Sequence, residues 1–491
     1  MITLLALTAC MQPKPSNELG TNGMFNEPYR SQYHFTPPSG WMNDPNGMVY
    51  YEGEYHLFYQ HYPDSTVWGP MHWGHAVSKD MIYWENLPIA LYPDTLGYIF
   101  SGSAVIDWKN TSGFGVGETP PLVAIFTYHS MEGERAGNID FQTQGIAYSL
   151  DKGRTWTKYE KNPVLQNPGI RDFRDPKVSW NEVAHQWVMT LAVKDHIEFY
   201  GSPDLKKWNK LSEFGKTMGE HGGVWECPDL FPLKDEQGNT QWVLLVSINP
   251  GGPQGGSATQ YFVGDFDGKN FTSQDTATRW IDYGADNYAG VTWSDIPASD
   301  GRRLFIGWMS NWQYANVVPT EAWRSATTLP REIMLNKKSD GYELKFKPVD
   351  EVSNIQGAPT AYTDSATVAS PLFMIEFTLG DGTKEFSLTI SNESDEKIVI
   401  SSLGNTLSFD RAASGITTFN PAFADIHNVD LKGVETKKVN VYVDMASVEL
   451  FINDGERVLT EIVFPTKPFN KVRLDKKNPQ FVMAPISSIL K

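Results

Sequence analysis

Only two cysteines occur in 491 residues, Cys10 and Cys227. One sits near the N-terminus and the other mid-chain, so the fold is not expected to rest on a disulfide framework. Basic residues are the minority: 41 Lys and Arg face 58 Asp and Glu, giving a net charge of −17. A nucleic-acid partner is thereby disfavoured, because phosphate binding needs clustered cations. No run in the body of the chain reaches the ~20 apolar residues that a membrane-crossing helix requires. A Gly-rich phosphate loop is also missing. Long 3.6-residue periodicity is absent up to about residue 345, which leaves an all-β chain.

Aromatic residues are plentiful, with 16 Trp, 21 Tyr and 26 Phe, and 40% of the chain is hydrophobic. Such a composition can bury a large core, and at this length two domains are expected. Aromatic faces also suit the C–H faces of sugar rings, although most will serve as core. The opening segment MITLLALTAC resembles a bacterial lipobox, with small residues before a cysteine that is lipidated. The stretch MQPKPSNELGTNG then reads as a polar tether. Residues 1–28 are accordingly assigned as lipoprotein signal and tether. The expectation is an exported bacterial lipoprotein, periplasmic or at the cell surface, touching the membrane only through an anchor at Cys10.

Strand-like runs such as MVYYEGEYHLFYQ, PLVAIFTYHS and QWVLLVSIN are bounded by Gly, Asp and Asn. Inside them lies a repeat: an alternating strand, a small residue, an Asp-bearing turn, then a large ring. The rings are Trp84, Trp156, Trp208 and Phe271. Upstream of each unit an inner strand pair begins, near Asp44-Pro45, Gly102-Ser103, Asp175-Pro176, Cys227-Pro228-Asp229 and Trp293-Ser294-Asp295. Units of roughly 50–70 residues match four-stranded blades. This predicts a five-bladed β-propeller over 29–340. A connector is expected over 341–360 and a β-sandwich over 361–491, where strands alternate without the ring-marked repeat.

Inner strands of a propeller start on one face, beside the channel. Equivalent positions therefore converge, and three of them hold acids next to or near a proline: Asp44 in WMNDPNG, Asp175 in FRDP and Glu226 in WECPD. Taken singly, each reads as a turn cap. In register, they form a cluster whose mutual repulsion suits glycoside hydrolysis, which needs a carboxylate and a carboxylic acid flanking one bond. Glu226, between Trp225 and Cys227, is the better placed acid. Asp44, among Asn43, Asn46 and Gly47, is expected to stay ionised, and Asp175 to stay charged beside Arg174.

Together WMNDPNG, the segment around Gln60, WGPMHWGHAVSKD, FSGSAV, FRDPKV, WECPDLF and GWMSNWQYANVVPT resemble glycoside hydrolase family 32, most nearly its levanase and exo-inulinase members. The resemblance spans 29–491. It implies a propeller followed by a sandwich, and retaining hydrolysis of β-fructofuranosides without a cofactor. Carried onto matching positions, it implies Asp44 as nucleophile, Glu226 as acid/base and Asp175 as transition-state stabiliser. It places Asn43, Gln60, Trp68, Phe100, Ser101, Arg174 and Trp312 around a terminal fructose. Retention in turn implies Asp44 and Glu226 carboxyls ~5–5.5 Å apart.

Competing readings of single residues point elsewhere. Trp41, Trp68 and Trp312 also fit as core rings between blades. His72 and His75 fall on opposite faces of an extended strand, so no shared metal is expected. Cys227 lacks the partners of a nucleophile. The sequence thus predicts an exo-acting fructan β-fructosidase releasing fructose from levan, inulin or sucrose. The alternatives are an endo-levanase on the same scaffold, an inverting pentosidase, or an inactive glycan-binding propeller. Linkage preference and oligomeric state stay open.

Overall fold

The computed structural model describes residues 25–274, 276–339, 341–380 and 385–490; the expected lipid-attachment site at Cys10 lies outside them. Five antiparallel sheets follow one another along the chain, each running from an inner to an outer strand. Their innermost strands are Gly40–Tyr51, Tyr98–Ile106, Phe173–Asn181, Val224–Lys234 and Tyr288–Thr292. The short strand Trp323–Arg324 returns to pair in parallel with Gly40 and Trp41, joining the end of the propeller to its beginning. Two six-stranded sheets then form the sandwich; strands such as Phe373–Thr378 and Phe386–Ser391 bury every second residue, whereas Ser447–Ile452 and Arg457–Ile462 are buried on both faces.

The rings of the repeat open the outermost strands. Trp84 starts Trp84–Leu91 and Phe271 starts Phe271–Thr272, while Trp156 and Trp208 directly precede theirs. Each repeat turn is pinned by its aspartate: Asp80 accepts from the backbone N–H of Ile82 and Tyr83, and Asp204 from Lys206 and Lys207. Trp208 Nε1 closes the same turn by donating to Leu205 O at 3.1 Å. With their polar edges so satisfied, the rings pack into the layers between sheets, as Trp156 does against Phe58.

Two boundaries differ from expectation. The fifth inner strand ends where Trp293-Ser294-Asp295 was expected to begin it. That triplet therefore lies at the far end of the channel, and the strand starts at Tyr288, which no acid or proline marks. Residues 341–348 are not connector: Gly341–Pro348 pairs along its whole length with Arg331–Lys338 as the outer strand of the fifth sheet. Only the six-residue 3-10 helix Asp350–Ile355 and its flanks then lead to the first sandwich strand, Thr360–Thr363.

The two halves share one buried apolar cluster, in which Leu329 and Ile333 of the propeller meet Phe451 and Val458 of the sandwich. Charges are buried there in matched sets. Arg331 is held by Asp282 at 3.0 Å and by Glu449. Arg411 is held by Asp286 at 2.6 Å and Glu461 at 2.9 Å. His34, ahead of the first blade, sits between Asp444 and Glu449. Removing either partner of such a pair strands a charge in the interior, so the sandwich braces the propeller as one body.

Candidate active site

All five inner strands carry the same irregularity. Between Met42 and Pro45, Ile99 and Gly102, Arg174 and Lys177, Glu226 and Asp229, and Tyr288 and Val291, one extra residue is inserted against the neighbouring strand. Such a bulge re-aims the side chains beside it. Repeated around the ring at one height, it turns residues from every blade toward one end of the channel. Asp175 and Cys227 take positive φ (63° and 44°) to make the bend. The glycine of WMNDPNG has a steric origin: Gly47 lies against the Phe58 and Trp73 rings, where a Cβ would come within 2.6 and 2.9 Å.

The bulges frame a pocket of about 350 Å³. Asp44, Asp175 and Glu226 all line it, together with Asn43, Gln60, Trp68, Phe100, Ser101, Arg174 and Trp312. All ten residues singled out in the sequence are thus brought into one hollow. Of the tryptophans weighed as core, Trp41 is fully buried and stacks on Trp312 at 5.7 Å, while Trp68 and Trp312 face the pocket. His72 and His75 separate as expected, His72 bonding Pro70 O and His75 bonding His56.

Asp44 is held on both oxygens: Asn43 Nδ2 donates to Oδ1 at 2.9 Å and Ser101 Oγ donates to Oδ2 at 2.6 Å. Asn43 is itself aimed by Trp41 Nε1 at 2.7 Å. The Cys227 thiol lies between two acids, 3.4 Å from Asp44 Oδ2 and 3.6 Å from Asp175 Oδ2. Its backbone N–H donates to Asp175 at 3.0 Å. Burial raises the Asp44 carboxyl above its ordinary range, aided by the charge of Glu226 and opposed by Ser101 and Asn43. Asp175 is pushed further, to about 7: burial raises it, Arg174 opposes, and Glu226 and Asp44 add to the rise.

That result corrects the expectation of a permanently charged Asp175. Arg174 points past its neighbour, donating to Glu226 at 3.1 Å and to Asp172 at 2.7 Å. Glu226 also receives the Tyr288 hydroxyl. Interacting carboxyls titrate as a set, so the proton held at Asp175 up to about neutral pH belongs to the cluster. Such a site can both donate a proton and present a carboxylate to one bound bond.

Tyr288 and the wall residues His129, Gln142, Asp172 and Asn249 were not singled out in the sequence. His129 lies within the strand run PLVAIFTYHS, as the last residue of its strand, and stacks on Phe100 at 4.1 Å. Correct phasing of the fifth repeat would have pointed to Tyr288; His129, Gln142 and Asn249 sit at the ends of second and third strands of their sheets, where no repeat signal marks them.

Comparison with known proteins gives a consistent result. Residues 34–348 match the family model of glycosyl hydrolases family 32 N-terminal domain, and 343–488 that of glycosyl hydrolases family 32 C terminal. A levanase of Bacillus subtilis is 48% identical over 97% of this chain and 72% of its own length. An extracellular exo-inulinase of Aspergillus ficuum is 37% identical, with 92% of both chains covered. Among solved structures, exo-inulinase from Aspergillus awamori superposes with a TM-score of 0.86 at 35% identity, covering 95% of this chain and 99% of the other. A β-fructofuranosidase from Schwanniomyces occidentalis complexed with fructosyl-erythritol gives 0.83 at 32% identity, with 95% and 99% covered.

Proposed function

The chain belongs to glycosyl hydrolase family 32, and on that premise we propose that it is a retaining, exo-acting β-fructosidase. It is a glycoside hydrolase acting on fructans. In the proposed reaction Glu226 gives its proton to the leaving oxygen while Asp44 attacks the anomeric carbon, forming a fructosyl-enzyme ester. Glu226, now ionised, takes a proton from water, whose oxygen attacks the same carbon and frees Asp44 and fructose. Asp175 and Arg174 hold sugar hydroxyls, and Trp68, Phe100 and Trp312 supply apolar walls.

The observation that carries this reading is the meeting of acids from three separate sheets in one pocket, with Cys227 within 3.6 Å of both Asp44 and Asp175. Exo action is supported by the likeness to relatives named exo-inulinases. The test is a product profile on levan, inulin and sucrose, with the first-formed anomer followed by NMR. Fructose alone, released with its β configuration kept, is expected. A ladder of oligomers would assign endo action, and an inverted anomer would refute the role of Asp44.

We propose as well that the protein is exported and held by a lipid on Cys10. Export is supported by the relative named an extracellular exo-inulinase. Replacing Cys10→Ala should move the protein from the membrane fraction to the soluble one, and unchanged partitioning would rule out the anchor.

A further inference from the structure

The channel has a second mouth. At the end opposite the catalytic pocket, the inner strands of the second to fifth sheets open into a cavity of about 540 Å³, larger than the catalytic one. The two hollows sit back to back on shared strands: Glu226 faces one and Asp229 the other, as do Asp175 and Lys177. Between them the channel is plugged. Lys177 Nζ donates to Thr292 O at 2.6 Å and pairs with Asp229 Oδ2 at 3.2 Å, and Thr292 N donates to the same oxygen at 2.6 Å. Ser103 Oγ donates to Pro176 O and accepts from Val178 N, each at 3.0 Å. A ligand in the far cavity therefore cannot reach the catalytic acids, and the cavity is not an extension of the active site.

Its lining has a definite chemistry. Trp108 stands at the rim with 61% of its surface exposed. It is nevertheless fixed, because Nε1 donates to Asp295 Oδ1 at 3.0 Å and Tyr51 packs edge-on at 6.0 Å. At the floor, Asp229 is fully buried and its Oδ1 accepts no hydrogen bond among the described residues. Arg303 lies beside it over the Phe231 ring, 4.9 Å from the centroid. Three cations, Lys109, Lys177 and Arg303, face four anions, Asp107, Glu182, Asp229 and Asp295, so the charges nearly cancel and the cavity offers no attraction to an anionic ligand. A fixed exposed ring beside the Arg303 guanidinium, which makes no hydrogen bond among the described residues, suits a neutral ligand rich in hydroxyls.

We propose that this far mouth is a second carbohydrate site, which holds a stretch of fructan on the Trp108 ring while another part of the polymer is cut on the opposite face. The identity of the sugar rests on the fructosidase reading above; the site itself rests on the cavity. A ring fixed by the Asp295 carboxylate presents a rigid face to sugar C–H groups, and tethering a polymer at a remote point raises its concentration at the catalytic pocket.

Electrophoresis through native gels containing levan tests the site, using Glu226→Gln protein so that the polymer survives. Adding Trp108→Ala should weaken retardation about five-fold, the scale of one ring contact, while Trp108→Phe keeps most of it. In the otherwise native enzyme, Trp108→Ala should leave sucrose turnover at the parental level and slow hydrolysis of dilute levan. Equal retardation of the Ala variant and its parent would overturn the proposal. Failure of the native enzyme to cut any fructan would refute the function instead, and a Trp108-dependent retardation would then still establish the site.

Discussion

Arg174 turns away from the acid beside it in sequence and clasps Glu226 on the neighbouring sheet, with Nη2 3.0 Å from Oε1. The cation thereby restrains the whole cluster rather than neutralising one member. Arg174→Gln should let the cluster keep its proton to higher pH, because the charge that lowers Asp175 is gone. The alkaline limb of kcat/KM, expected near pH 7 in the native enzyme, should move upward. Loss of the guanidinium should also lower kcat/KM on sucrose by about 100-fold. Rate profiles from acid to alkaline pH check both effects, and an unmoved alkaline limb would refute the coupling.

Asp44→Asn and Glu226→Gln should each lower turnover by about 10³-fold or more without loss of fold, since both substitutions are isosteric. An aryl fructoside with a good leaving group separates the roles. It needs little protonation, so it should restore ester formation in Glu226→Gln and do nothing for Asp44→Asn. Equal rescue of the two variants would contradict the assignment.

The acids were legible in the sequence because each sits at or near a proline at the start of a blade, and the repeat of aspartate turns and rings gave the blade count. Tyr288 was not, since its strand carries neither signal and the next conspicuous group, Trp293-Ser294-Asp295, lies beyond the strand's far end. The bulges were invisible as well. A one-residue insertion changes which way Asp44 and Glu226 point without changing the strand-like pattern around them. The direction of Arg174 was misjudged because the bulge between Arg174 and Lys177, with Asp175 at positive φ, leaves both side chains in the pocket and turns the guanidinium toward the next sheet. The far cavity left no trace either: Trp108 and Arg303 are 195 positions apart and meet only through closure of the ring.

Asp175 carries a stability cost that its function requires. Its carboxyl titrates near 7 in the folded protein, against an ordinary 3.8. Between those values the native state binds the proton more tightly than the unfolded chain, so stability falls as pH rises, and the full cost is present above about pH 7. Asp175→Asn should therefore stabilise the protein by about 1–3 kcal/mol at pH 8 and have little effect at pH 4, while abolishing most activity. Thermal midpoints at the two pH values check this, and an equal shift at both would refute it.

At the domain interface the sign reverses. His34 donates Nδ1 to Asp444 at 2.7 Å and Nε2 to Glu449 at 2.8 Å, a pair of contacts that only the protonated ring can make to two carboxylates. Burial opposes the charge, yet the hydrogen bonds and charges of Asp444 and Glu449 overcome it and hold the imidazolium to about 9, above its ordinary 6.5. The stabilisation is complete below pH 6.5, fades as pH rises between 6.5 and 9, and is lost above. His34→Gln should cost about 3 kcal/mol at pH 6 and much less at pH 10. Because His34 precedes the first blade and both acids lie in the sandwich, the native protein should loosen at this junction as pH climbs past 9. Denaturation curves of the two proteins that ran parallel from pH 6 to 10 would show that His34 is not the group responsible.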